Sequence, residues 1–382
     1  MAVLASRALL ETTPTSQTRI LRSRCEDQER VFSAAFRVLA DGIKERAFPG
    51  ASICVTQGSE VVALKAFGRF TYDEPSSAVQ ADTIFDIASV SKVVATTTMA
   101  MLLYERGFLD LEAPVVGIVP EFRGEDHRRS EVTFRHLLAH SSGLPAYERL
   151  FLRAKTRNEL LQEAFNVPLL HDPGSHAEYS DVGFIVLGVA LERIAGETLD
   201  QFCQREIFGP LGMSHTAYNP PGSWRSAIPP TADDQSFRHR IIQGEVNDEN
   251  ASVMGGVAGH AGVFGTALDV ASFANAMLKG GTSIIHSETV ALFTRRQDSP
   301  IGTSRALGWD TPSAPSQSGK YFSASSFGHL GYTGTSLWID PERQISVTLL
   351  TNRTWPDSAN KAIKEIRPKF HDAVMKALGA TA

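Results

Sequence analysis

The 382-residue sequence predicts an α/β (α+β) fold, an antiparallel sheet flanked by N- and C-terminal helices with a mainly helical domain inserted in it. Three observations predict it. Hairpin signatures lie near both ends of the chain, an amphipathic helix stands outside each hairpin, and the long middle carries helical periodicity.

Residues 1–25 are rich in Ser, Thr and Arg without periodicity, so a loose extension is expected. Phe32, Phe36, Leu39 and Ile43 then recur at helical spacing behind Glu26 and Asp27, and this helix should end before Pro49. Ala51–Thr56 and Val61–Phe67 flank Gln57-Gly58-Ser59-Glu60 and read as a hairpin. Val93–Tyr104, Phe184–Ile194 and Val270–Leu278 are periodic helical stretches. Thr335–Ile339 and Ile345–Thr351 flank Asp340-Pro341-Glu342-Arg343, a second hairpin. A terminal helix follows through Ile363, Ile366, Phe370, Val374 and Leu378, and Pro368 should kink it or move its start. Residues 26–75 with 300–382 would form the sheet domain and 76–299 the inserted helical domain. Their interface is a favoured place for a pocket. Residues 212–265, with Pro220, Pro221, Pro229, Pro230 and five glycines after residue 254, read as long functional or mobile loops.

Composition narrows the function. A net charge of −5 with both signs spread along the chain leaves no basic stripe, so nucleic acid is not an expected partner. No apolar run approaches the ~18 residues of a membrane span, so no membrane partner is expected. Three cysteines, Cys25, Cys54 and Cys203, have neither CxxC spacing nor an even count, so no disulfide framework or thiolate metal site is indicated. No metal or cofactor is expected. Arg7 and Glu11 interrupt the N-terminus before an apolar signal region can form, which points to the cytoplasm.

Among nucleophile signatures, G-x-S-x-G and HExxH are both absent. Ser-x-x-Lys occurs twice, at Ser89-Val90-Ser91-Lys92 and Ser358-Ala359-Asn360-Lys361. Three residues are nearly one helical turn, so the lysine projects from the serine's face and can share its proton. Ser89 follows the apolar Thr83–Ala88 and opens a long helix whose free N–H groups favour developing negative charge. Ser358, behind Trp355-Pro356-Asp357, reads as a helix cap and Lys361 as a solvated lysine.

The order of motifs resembles the serine β-lactamase and penicillin-binding protein superfamily, in its class C β-lactamase-like and family VIII carboxylesterase-like branch. Ser89-Val90-Ser91-Lys92, Tyr179-Ser180-Asp181 and His329-Leu330-Gly331 carry the likeness. Val132–Pro145 and the glycine-rich 255–262 frame them, and the similarity covers roughly residues 30–375. The resemblance implies a β-lactamase/transpeptidase-like fold, acylation of Ser89 and a base system of Lys92 and Tyr179. Burial of the lysine and a cation beside the tyrosine should lower both pKa values. An oxyanion hole is implied from the N–H groups of Ser89 and Tyr332, with Gly331 ahead of the latter, and substrate contacts from Asp181 and His329.

Two departures bear on the substrate. Asp181 stands where the family most often has Asn, and His329 where it most often has Lys. The amide donor is lost and an imidazole replaces a stronger cation, which favours ester substrates. Tyr332-Thr333-Gly334 offers a competing register for the third motif. Simpler readings stand beside these: Asp181 as the cap of the helix beginning near Val182, His136 and His140 as structural or capping, and His260 as one residue of a glycine turn. The expected function is acyl-enzyme hydrolysis of a small-molecule ester or amide. The alternatives are a D-alanyl-D-alanine carboxypeptidase or weak β-lactamase, and an inactive ligand-binding member of the fold.

Overall fold

The computed structural model describes residues 21–381. Its strands are β1 (Arg22–Ser23), β2 (Gly50–Gln57), β3 (Glu60–Gly68), β4 (Phe85–Asp86), β5 (Ala217–Tyr218), β6 (Ala232–Asp234), β7 (Arg240–Ile242), β8 (Val263–Gly265), β9 (Phe327–Leu330), β10 (Ser336–Asp340) and β11 (Ile345–Thr351). The main sheet runs in the order β1-β3-β2-β11-β10-β9. All its pairings are antiparallel except that of β1, which lies parallel to β3. The pairing of β2 with β11 brings the two ends of the chain side by side. Most of the expected loose extension lies outside the described residues, but Arg22–Ser23 within it is an edge strand.

The first hairpin turns where expected, with Gln57 opposite Glu60. Gly58 and Ser59 both take positive φ, 58° and 75°, the mirror-image turn whose twist suits a two-residue hairpin. Strands β2, β10 and β11 are buried on both faces because helices cover both. Ile53, Val55, Trp338 and Leu349 pack against Phe36 and Leu39 of helix Ser33–Lys44 and Phe370 and Val374 of helix Ile363–Ala377. The alternate residues Cys54, Leu337, Ile339 and Leu350 join the larger core, which includes Val270, Phe273 and Ala274 of helix Ala267–Leu278. Each fully buried Ile, Leu or Phe contributes roughly 1.5–3 kcal/mol to such a core.

Helix Ile363–Ala377 runs through Pro368, so the proline does not move its start. A proline there leaves the Lys364 carbonyl without its helical donor. Gln317 Nε2 donates to that carbonyl at 2.9 Å and replaces the missing bond.

Candidate active site

The segment bearing Ser89 is held by two carboxylate bonds. Asp86, at the end of β4, accepts the N–H of Ala88 at 2.8 Å and that of Asn247 at 2.7 Å. Burial pushes its pKa up to about 6. Ala88 sits at φ 48°, a conformation disfavoured for a residue with a Cβ. It begins a short 3₁₀ turn, Ala88–Val90, which leads into a wide π turn over Lys92–Thr97 and then helix Thr98–Glu105. The expected single helix is thus three segments, and π turns recur at functional positions because they re-aim side chains.

The three residues expected to act together meet at one oxygen. Tyr179 Oη donates to Ser89 Oγ at 2.8 Å and Lys92 Nζ donates to it at 3.0 Å. Lys92 is fully buried, and its ammonium also donates to the His260 carbonyl at 2.8 Å and lies 2.6 Å from Asp181 Oδ1. The last contact is an ion pair whose angle falls outside hydrogen-bond geometry. Burial lowers the Lys92 pKa and Asp181 opposes that fall. Tyr179 departs from expectation: burial, with Asp181 beside it, drives its pKa well above the ordinary value. Loss of solvation outweighs the nearby cations, so Tyr179 is a neutral phenol.

Asp181 is not the helix cap. Ser180 caps helix Asp181–Ala195, accepting the Gly183 N–H at 2.9 Å, which leaves the Asp181 carboxylate free to face Lys92. His140 positions this segment. Its Nδ1 accepts the Ser180 N–H at 3.0 Å and its ring packs between Tyr179 and Phe184 at 4.8 and 4.9 Å. His136 closes a capping box with Thr133.

The turn between β9 and β10 is pinned against Ser89. Thr333 Oγ1 donates to the Asp86 carbonyl at 2.8 Å and Thr335 Oγ1 to the Ile87 carbonyl at 2.9 Å. A Cβ on Gly331 would stand 1.9 Å from Thr335 Oγ1 and 2.7 Å from the Ile87 carbonyl, so only glycine permits this approach. Neither the Ser89 nor the Tyr332 N–H has a partner among the described residues. His329 is buried, with Nδ1 bonded to the Leu330 carbonyl at 2.8 Å and Nε2 without a partner. Burial and the charge of Lys92 push its pKa down to about 3, so it is a neutral acceptor. Tyr332 is half exposed and donates its phenol to Ser358 Oγ at 2.8 Å.

Ser89, Tyr179, Asp181, His329, Gly331 and Tyr332 line a cavity of about 1200 Å³. Its wall includes Asp233, Asp234 and Asp248 from the region 212–265, together with Ser358 and Lys361. Ser358 is therefore not a helix cap: helix Ile363–Ala377 starts later, and Lys361 Nζ donates to the Ser358 carbonyl at 2.5 Å. Asp248 and Arg305, at or near the site, had no sequence signal, and His260 reads in the sequence as one residue of a glycine turn. His260 supplies its carbonyl to Lys92 and pairs its Nε2 with Asp248 Oδ1 at 2.8 Å. Arg305 lies 5.5 Å over the Tyr179 ring. Only the composition of the glycine-rich stretch marked the neighbourhood of His260.

The fold and this constellation define a serine hydrolase. A family model described as Beta-lactamase matches residues 35–368, and the chain belongs to that family. The N-acetylmuramyl-L-alanine amidase of Bacillus subtilis (strain 168) is 30% identical over 346 residues, covering 80% of this chain and 77% of that protein. The "Putative D-alanyl-D-alanine carboxypeptidase" of Escherichia coli (strain K12) is 30% identical over 345 residues, covering 80% and 79%. Among solved structures, "EstCE1, a hydrolase with promiscuous acyltransferase activity" superposes with a TM-score of 0.75 at 23% identity, over 91% of this chain and 99% of that one, a likeness of fold. No helix of the described residues is long and apolar enough to cross a membrane.

Proposed function

We propose that the enzyme hydrolyses small carboxylic esters or amides through an acyl-enzyme on Ser89. The observation that carries the reading is the convergence of the Tyr179 phenol, at 2.8 Å, and the Lys92 amine, at 3.0 Å, on Ser89 Oγ. In the reactive state Lys92 is neutral and takes the serine proton as Oγ attacks the carbonyl carbon. The carbonyl oxygen becomes negative and accepts the N–H groups of Ser89 and Tyr332. As the intermediate collapses, Tyr179 gives its proton to the leaving oxygen or nitrogen and is recharged from Lys92. Water then repeats the cycle on the acyl-enzyme. Asp181 acts as the counter-ion of Lys92, holding the amine against Ser89.

Ester substrates suit the site best. His329 is neutral and offers an acceptor, and Asp181 has no amide donor for a peptide carbonyl. Three free cysteines, Cys25, Cys54 and Cys203, fit a reducing compartment, and action in the cytoplasm belongs to the same proposal. A second reading, D,D-carboxypeptidase or amidase activity, is favoured by the names of the Escherichia coli and Bacillus relatives. A substrate panel on wild type and Ser89→Ala separates them: short-chain p-nitrophenyl esters should turn over and D-Ala-D-Ala peptides slowly. Faster peptide turnover selects the second reading. Failure of a fluorophosphonate to add mass at Ser89 rejects both.

A further inference from the structure

We propose that Asp248 and His260 are positioning residues for the base: through the His260 carbonyl they hold the Lys92 amine against Ser89, and Asp248 faces that amine as a second carboxylate. This deepens the hydrolase reading above and rests on it. A closed circuit of hydrogen bonds joins the two residues to the nucleophile. Lys92 Nζ donates to Ser89 Oγ at 3.0 Å and to the His260 carbonyl at 2.8 Å. His260 Nε2 donates to Asp248 Oδ1 at 2.8 Å. The neighbouring Asn247 N–H donates to Asp86 Oδ2 at 2.7 Å, and Asp86 Oδ1 accepts the N–H of Ala88, the residue before Ser89. The circuit leaves the nucleophile on one side and returns to it on the other.

His260 is the one polar side chain of Gly255-Gly256-Val257-Ala258-Gly259-His260-Ala261-Gly262, where Gly255, Gly256 and Gly262 take positive φ. Glycines leave a backbone free to move, so a carbonyl placed among them needs anchors. Two flank it: Thr96 Oγ1 donates to the Gly259 carbonyl at 2.7 Å, and the Val263 N–H donates to Ser91 Oγ at 3.1 Å. The imidazole, 1% exposed, is the third. Asp248 is itself fixed, since the same Oδ1 accepts the Ala251 N–H at 2.8 Å and caps helix Glu249–Val253.

Asp248 also brings a charge. Burial would raise its pKa, but His260, the Ala251 N–H and Lys92 together hold it below the ordinary carboxylate value. Burial lowers the Lys92 pKa, Asp181 and then Asp248 raise it, and Arg305 lowers it. Tyr179, His140 and His329 are the other titratable groups near the amine. Asp86, Tyr147 and Glu249 are those near Asp248.

The test reads the rate at which a fluorophosphonate adds mass to Ser89, across pH, in wild type, Asp248→Asn, His260→Ala and His260→Gln. Asp248→Asn keeps an oxygen for both N–H donors and loses only the charge, so the acid limb of the labelling rate should move to lower pH. His260→Ala should lower the plateau by about 100-fold, the loss that a displacement of about 1 Å can cause. His260→Gln sets an amide N–H at the reach of the imidazole Nε2 and should restore most of that loss. Limbs that coincide in wild type and Asp248→Asn overturn the second carboxylate. A folded His260→Ala with the wild-type plateau, or a folded His260→Gln labelled about 100-fold more slowly than wild type, overturns the positioning role. The glutamine variant decides the point should the alanine variant lack native circular dichroism. Wild type that takes no adduct rejects the hydrolase reading and this one with it, whereas a labelled wild type with unchanged variants rejects this one alone.

Discussion

Lys92 Nζ lies 2.6 Å from Asp181 Oδ1 with the lysine fully buried, so the aspartate that replaces the family's usual asparagine is the counter-ion of the proposed base. This relationship separates charge balance from proton transfer. Burial favours the neutral amine, and the carboxylate favours the ammonium.

Asp181→Asn should therefore move the acid limb of the kcat/KM profile to lower pH. The negative charge raises the Lys92 pKa, and a neutral amine is the reactive form, so removing the charge extends activity downward in pH. A limb that stays in place or moves up would show that Asp181 does not set the protonation of Lys92.

Lys92→Met and Tyr179→Phe should each reduce kcat/KM by ~100- to 10,000-fold, the usual span for a proton-transfer group. Both substitutions keep the bulk of the side chain, and circular dichroism should remain native. Near wild-type turnover by either folded variant would remove that residue from the mechanism.

Gly331→Ala should reduce kcat by roughly 100-fold or more by displacing the Tyr332 N–H. The added carbon would stand 1.9 Å from Thr335 Oγ1 and 2.7 Å from the Ile87 carbonyl, and backbone must shift to admit it. Single-turnover acylation with a p-nitrophenyl ester reads the effect, and an unchanged acylation rate would contradict it.

The buried His371 predicts acid sensitivity outside the site. Burial lowers its pKa from 6.5 to about 3, with Nδ1 bonded to the Gln317 carbonyl at 2.9 Å and Nε2 to Ser336 Oγ at 3.2 Å. The unfolded chain takes up that proton first as pH falls. Stability from the neutral ring is thus complete above 6.5 and drains away towards about 3. Urea midpoints measured between pH 7 and 4 should fall less steeply for His371→Gln than for wild type. Parallel slopes would exclude His371 as a source.

Both hairpins, the helices outside them and the helices of the middle were legible because each rests on periodicity or turn chemistry within a few residues. What lets a helix pass through Pro368 was not legible for the opposite reason: Gln317, which donates to the freed Lys364 carbonyl, lies 47 positions from it. Tyr179 was read correctly as a neighbour of Ser89, but its pKa direction was not, since burial cannot be summed from a motif.

By itself the sequence determined the Ser89-x-x-Lys92 pair, the segments that frame it and the strands at both ends of the chain, all consequences of short-range spacing. Only the tertiary structure decided what neutralises Lys92, and that His260, bonded to Asp248, lends it a carbonyl from 168 residues away. Charge balance in a low-dielectric interior depends on which distant groups are desolvated together, and linear spacing does not record that.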